Sequence, residues 1–332
     1  MVTKAVVGRI VIGVLVVVLG GFAVADARGS GDGAQARSSM TIIAPAAAGG
    51  GWDLVAREIQ QATRTDGIVN TVQVVNAPGA GGTIGLSQLA RQDGNPTTLM
   101  VTGTVMVGGV SMSDSSTTLQ DVTPIARLAE DFEVLAVPAD SPWRTLDDFV
   151  EDWKADPGMP VGGGSAGGID HMVAAQLAQA VDVDSEDLQY TPYAGGGELT
   201  LSLLSDADGT VPIGISGYND FRDLIDGGRL RALAVVAPDR LEGVEAPTMD
   251  ELGYESVDVV NWRGVMAPPG ITEDERYELL AIVEEMVRTE SWAEAVDRNR
   301  WEESWMGPDD FEEFLVSEQK RIDVLLQDLG LA

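Results

Sequence analysis

Four glycine-rich stretches are the residues of this chain best suited to chemistry: Gly49-Gly50-Gly51, Gly79-Ala80-Gly81-Gly82, Gly162-Gly163-Gly164-Ser165-Ala166-Gly167-Gly168 and Gly195-Gly196-Gly197. Each follows a short β-type run and precedes a segment with helical spacing. Glycine lets the backbone turn sharply and bring its N–H groups close to a ligand. The helix behind it adds unpaired N–H groups and the positive end of its dipole. A strand–glycine–helix junction is therefore an anion site that needs no basic side chain. A single such turn is often only structural. Four of them, two in each half of the chain, point to one shared cleft at the carboxyl ends of strands, where open α/β sheets bind their ligands.

Candidate binding residues follow from these junctions. Backbone N–H groups of Gly50, Gly51, Gly81, Gly82, Gly167 and Gly196 are expected to donate to carboxylate oxygens. Trp52, Ala80, Ala166, Gly168 and Gly195 complete the loops around them, and Thr83, Ser165, Ser216 and Tyr193 supply hydroxyls. Asp53 and Asp170 follow glycines at helix starts, which suits N-terminal capping; Asp53 also stands beside the first loop as a site candidate. His171 lies in the first turn of the third helix, where it either reaches the ligand or is held structurally. Arg263 either faces the cleft and grips a carboxylate bidentately or pairs with an acid at the hinge.

Two catalytic motifs overlap in the third loop. Gly162-x-Gly164-x-x-Gly167 matches the dinucleotide fingerprint, although adjacent glycines make a chance match easy. Gly163-x-Ser165-x-Gly167 matches the nucleophile elbow of serine hydrolases. The single histidine of the chain, His171, lies six residues beyond Ser165 on the same helix, not late in the chain where such a hydrolase keeps its base. No glycine loop ends in Gly-Lys-Ser/Thr. With no cysteine and one histidine, thiolate zinc sites, iron–sulfur clusters and thiol nucleophiles are excluded. No metal and no cofactor is expected.

The elements that carry the loops alternate strand with helix. Thr41–Pro45, Val72–Asn76, Pro160-Val161 and Leu188–Tyr193 read as strands. Segments 52–59, 83–90, 169–180 and 198–204 read as helices. That alternation implies a doubly wound α/β arrangement. The chain has 332 residues and a formal net charge of −32. Such charge excludes sequence-independent nucleic-acid binding. The acidity belongs to the later two-thirds: residues 1–100 carry six acids and seven bases. Lys4 and Arg9 precede an apolar run to Ala25 and small-x-small cleavage candidates, the layout of a secretory signal over residues 1–27. An uncleaved anchor is the rival reading. Residues 28–39 read as a flexible tether.

Taken in order, several stretches resemble the extracytoplasmic solute receptors of tripartite tricarboxylate transporters. They are Gly49–Asp53, Asn76–Gly85, Gly163–His171, Pro192–Glu198, Ser216-Gly217-Tyr218, Gly228–Ala234, Ala246–Met249 and Asn261–Gly270. The likeness spans nearly all of residues 40–332 and leans toward the tricarboxylate-binding branch. It implies a type II two-lobed periplasmic-binding-protein-like fold with two interlobe crossovers and a central cleft. It also implies an exported monomer that closes on a small citrate-like di- or tricarboxylate, catalyses nothing, and delivers the ligand to a two-component membrane permease. The chain itself suggests where the lobes divide: 40–137 with 259–332 in the first, 138–258 in the second, and a helical tail over 272–332. Two other functions are open, a carboxylate-sensing protein serving a sensor kinase and an exported serine hydrolase using Ser165.

Overall fold

The computed structural model describes residues 33–331 apart from 114, 185, 186, 206, 208 and 242. The expected signal over residues 1–27 lies outside the described residues. Part of the expected tether is ordered: Gly33–Ser38 is a helix (α1) and Ser39 already opens a strand. Arg37 explains the difference, because it reaches Glu278 and Glu285 on a distant helix while Ala36 is buried.

Two sheets organise the chain. The first is built from β1 (Ser39–Ala44), β2 (Thr71–Asn76), β3 (Thr98–Gly103) and β4 (Thr123–Asp131). Helices α2 (Gly51–Thr65), α3 (Thr83–Ala90) and α4 (Thr104–Met112) lie between these strands. The chain then changes sheet at Phe132. β5 (Glu133–Pro138) pairs with β8 and β9 of the second sheet, earlier than the boundary expected at 137/138. The second sheet continues through α5 (Leu146–Ala155), β6 (Val161–Gly163), α6 (Ile169–Ala180), β7 (Tyr190–Pro192) and α7 (Gly196–Leu203). It ends with β8 (Ile213–Gly217), α8 (Tyr218–Asp226) and β9 (Leu230–Val236).

The return crossing delivers β10 (Asn261–Ala267) to the middle of the first sheet. α9 (Glu273–Val287) and α10 (Glu290–Asn299) follow, then β11 (Glu302–Met306) and α11 (Pro308–Asp328). The tail is thus not helical throughout: β11 forms an edge strand against β4. Strand orders are β11-β4-β10-β3-β1-β2 and β7-β6-β8-β5-β9. In both, an ordered parallel trio meets an antiparallel strand that arrived from the other lobe. This is the type II two-lobed architecture.

Local sequence explains the elements. Helix α2 buries Trp52, Val55, Ala56, Ile59, Ala62 and Thr63, spaced at three and four residues, against the first sheet. Helices α5 and α9 begin at capping boxes, Thr145 with Asp148 and Thr272 with Glu275, each satisfying two otherwise orphaned N–H groups. Phe311 and Phe314 of α11 and Trp262 of β10 meet at ring-centroid distances of 5.3–6.4 Å. Trp292 packs beside Trp301, whereas Trp305 is exposed.

Candidate functional site

The parallel strands of both sheets point their carboxyl ends at the space between the lobes. Loops leave there after β1, β2, β6 and β7, and all four glycine stretches line one cavity of about 200 Å³. Of the residues expected from sequence, Gly50, Gly51, Trp52, Gly81, Gly82, Ser165, Gly168, Gly195, Gly196, Ser216 and Arg263 form its wall. Two glycines there depend on having no side chain. A Cβ on Gly82, whose φ is +93°, would sit 2.7 Å from the Trp52 ring, and one on Gly196 would sit 2.1 Å from the Asp220 carboxyl carbon.

The floor comes from the two crossings, and strand register brings its groups level. Asn261 opposes Asp131 between β10 and β4, and Glu133 opposes Gly217 between β5 and β8. Arg263 faces the cleft and donates to Asp131 at 3.0 Å, with both side chains less than one-tenth exposed. Of the two alternatives open for Arg263 in the sequence, the structure shows the pairing with an acid at the hinge, and it places the guanidinium in the wall of the cleft. A Cβ on Gly51 would lie 3.0 Å from its Nη2, so the first loop closes directly over the guanidinium.

Sequence reasoning missed most of the acids. Asp131, Glu133, Asp170 and Asp220 all line the cavity, and among the described residues Arg263 is its one basic side chain. Burial pushes Asp131 up, against the pull of Arg263. Burial raises Glu133 well above the carboxylate range, helped by the neighbouring Asp170, to which it hydrogen-bonds. Burial also raises Asp170, although Glu133 and the Gly164 N–H oppose it. A hydrogen bond between two carboxyls needs a proton, so the Glu133–Asp170 pair carries one. Asp220 still touches solvent but is crowded by the walls, which push it to about 6 despite a hydrogen bond from the Ser216 hydroxyl at 2.7 Å.

Other expected residues stand behind the wall. Asp53 accepts from the Gly49 N–H, Arg57 and Asn76. Burial would raise it, yet these bonds hold it below the usual carboxylate range; it ties the first loop to β2. Thr83 donates to the Ala80 carbonyl, and Tyr193 shares a hydrogen bond with Ser202. His171 accepts from the Gly167 N–H at 3.0 Å and stacks on Tyr190; burial lowers it to about 4, so it is neutral at pH 7. Gly167 packs on Met112 of the other lobe. Ala80, Ala166 and Gly167 lie in the loops but outside the lining. Ser165 has no hydrogen bond to His171, whose Nδ1 is already occupied. Trp301, buried beside Trp292, also borders the cavity.

Across the cleft the lobes are clasped. Asn219 and Arg222 on α8 donate to the carbonyls of Asn299 and Arg298 at the end of α10, at 2.6 and 2.8 Å.

The model of the tripartite tricarboxylate transporter family receptor matches residues 55–331. The chain belongs to this receptor family. The receptor is 30% identical over 236 residues to Protein BugT of Bordetella pertussis strain Tohama I, covering 70% of this chain and 71% of BugT. In three dimensions it resembles MatC from Rhodopseudomonas palustris with bound malate, with a TM-score of 0.74 and 21% identity over 87% of this chain and 99% of that one. It also resembles R. palustris Rpa4515 with adipate, with a TM-score of 0.77 and 20% identity over 88% and 97% of the two chains. At that identity the structural likeness speaks for the receptor's fold. Among its described residues no helix is long and apolar enough to cross a membrane, and no group of three or more His, Cys, Asp or Glu is arranged to hold a metal ion.

Proposed function

We propose that this protein is an extracytoplasmic receptor that captures a small carboxylate between its lobes and hands it to a two-component membrane permease. The single observation that carries the reading is the convergence of all four glycine loops and Arg263 on one interlobe cavity. The expected donors at Gly50 and Gly82 are taken by the Ala47 and Gly79 carbonyls; the other backbone N–H groups at the helix starts and the guanidinium are the donors a carboxylate requires. The cavity is smaller than the roughly 300–1,000 Å³ of sites for drug-sized ligands, which suits a metabolite. Solved relatives that hold malate and adipate support a carboxylate class. A citrate-like tricarboxylate matches the loops, but it would bring its third carboxylate against a floor already rich in acids.

Family membership supports delivery to a permease over sensing for a kinase. For the hydrolase, the geometry supplies Ser165 with no base. The test is a thermal-shift screen of small carboxylates, since binding to the folded state raises the midpoint by mass action. Gly51→Ala is the control. Its new Cβ meets only the end of the Arg263 side chain, 3.0 Å from Nη2, at the first residue of helix α2, so the fold should persist while the ligand-induced shift falls. A full panel without any shift, or an unchanged shift in Gly51→Ala, contradicts the cleft assignment.

A further inference from the structure

We infer that Gly108 of helix α4 is the seat on which the second lobe closes, and that this contact holds the lobes together before any solute arrives. It is made by protein atoms alone, so it stands whatever solute the cleft takes.

Two adjacent glycines, Gly108 and Gly109, lie buried inside α4. Neither has a positive φ, so no turn requires glycine there, and glycine inside a helix is less favourable than alanine. What requires it is close approach. A Cβ on Gly108 would overlap the Gly167 carbonyl oxygen and lie 3.0 Å from Met172 Cε, both in the second lobe. A Cβ on Gly109 would lie 2.9 Å from the Gly81 carbonyl oxygen, in the second glycine loop of its own lobe. Successive residues of one helix thus receive two of the cleft loops, one from each lobe.

The third loop is shaped for this seat from its own side. Gly167 has a φ of +72°. Its N–H donates to His171 Nδ1 at 3.0 Å, and the Gly168 N–H donates to the Ser165 carbonyl at 2.9 Å. Both peptides flanking Gly167 are therefore fixed, and its carbonyl is aimed at Gly108. Met112 in the last turn of α4 covers Gly167 from the side. Val105 and Gly168 line the cavity next to this contact, whereas Gly108 and Gly167 stand outside the lining. The atoms that close the lobes are distinct from those that face the solute.

Alanine at Gly108 separates folding from closure. The three atoms nearest its Cβ, Gly167 O, Met172 Cε and Gly167 C, all belong to the second lobe. Overpacking at this point is relieved when the lobes part, with neither lobe deformed.

The chain has no cysteine, so Ile84→Cys with Leu201→Cys places one spin label on each lobe. Both positions are exposed, on the helices behind the second and fourth loops. Pulsed electron–electron resonance on the exhaustively dialysed full chain should give mainly the short distance of the arrangement described above. Gly108→Ala should lower the ratio of short to long distances ten-fold or more, equivalent to about 1.4 kcal/mol, with unchanged circular dichroism. Met112→Ala only removes atoms from an exposed side chain. It should move the ratio in the same direction, and it carries the test if Gly108→Ala does not fold. A wild type that shows only long distances overturns the inference, because the seat then fails to hold the lobes. So does an unchanged distribution in the variants that fold, since α4 then yields in place of the lobes. Either result leaves the carboxylate-receptor reading to its own thermal-shift test.

Discussion

Replacing Arg263 by methionine exposes what the floor of the cleft costs the fold. The guanidinium and Asp131 are 3.0 Å apart with side chains 7% and 8% exposed. At an effective dielectric of about 20, two charges some 4 Å apart attract by roughly 4 kcal/mol. Removing one partner of such a buried pair destabilises by about 3–5 kcal/mol, because the other charge is left buried alone. The same guanidinium also faces Glu133 and Asp170, so the loss should fall in the upper half of that range. Adding Asp131→Asn removes the stranded charge and should recover about 2–3 kcal/mol. Urea unfolding followed by tryptophan fluorescence near pH 7.5 gives both numbers, provided the denaturant slope is unchanged. Lowering the pH should relieve the single variant by up to about 1.4 kcal/mol per unit while Asp131 takes up a proton on folding. A single-variant cost below about 1 kcal/mol, or a double variant no more stable than the single, refutes the reasoning: the pair would then be solvated like a surface salt bridge.

Asp220 makes a pH prediction of defined sign. Its folded carboxyl sits at about 6 against an ordinary 3.8, so between those values the folded chain holds a proton that the unfolded chain has lost. The stability this group contributes is complete below its unfolded value and is lost as the pH rises through 6. The melting temperature of the wild type minus that of Asp220→Asn should therefore fall from about pH 4.5 to 7, by a small amount because the side chain meets solvent; a difference that grows with pH contradicts it. The interlobe clasp makes another. Asn219→Ala with Arg222→Ala removes two bonds of roughly 0.5–1.5 kcal/mol each, so small-angle scattering should show a larger radius of gyration and stopped-flow a faster ligand release. Unchanged scattering and release rate mean that the clasp does not hold the lobes.

Local features of the fold are legible in the sequence alone. The glycine loops announce their junctions, and helices 83–90 and 169–180 match the observed α3 and α6 residue for residue. Arg263 stands out as the one base in a motif that ends at the cleft. The acids do not stand out, because their position depends on pairing between distant strands: Asp131 meets Asn261 across β4 and β10, and Glu133 meets Gly217 across β5 and β8. One signal is present. Glu130-Asp131-Phe132-Glu133 interrupts an otherwise apolar run from Leu128 to Val137, and charges in the middle of buried strands are costly unless something compensates them. His171 and Tyr193 mislead for the opposite reason. They stand close to the loops in sequence, yet their polar atoms are engaged by Gly167 and Ser202.

Asp131 and Glu133 flank the residue at which the chain leaves one sheet for the other, and Asn261 begins the strand that brings it back. Should the two lobes part about these connecting strands, groups on the strands travel least and the glycine loops, at the ends of longer lever arms, travel most. The floor would then stand assembled before any loop has arrived, and a solute would meet that fixed surface first and the shape of the loops only afterwards.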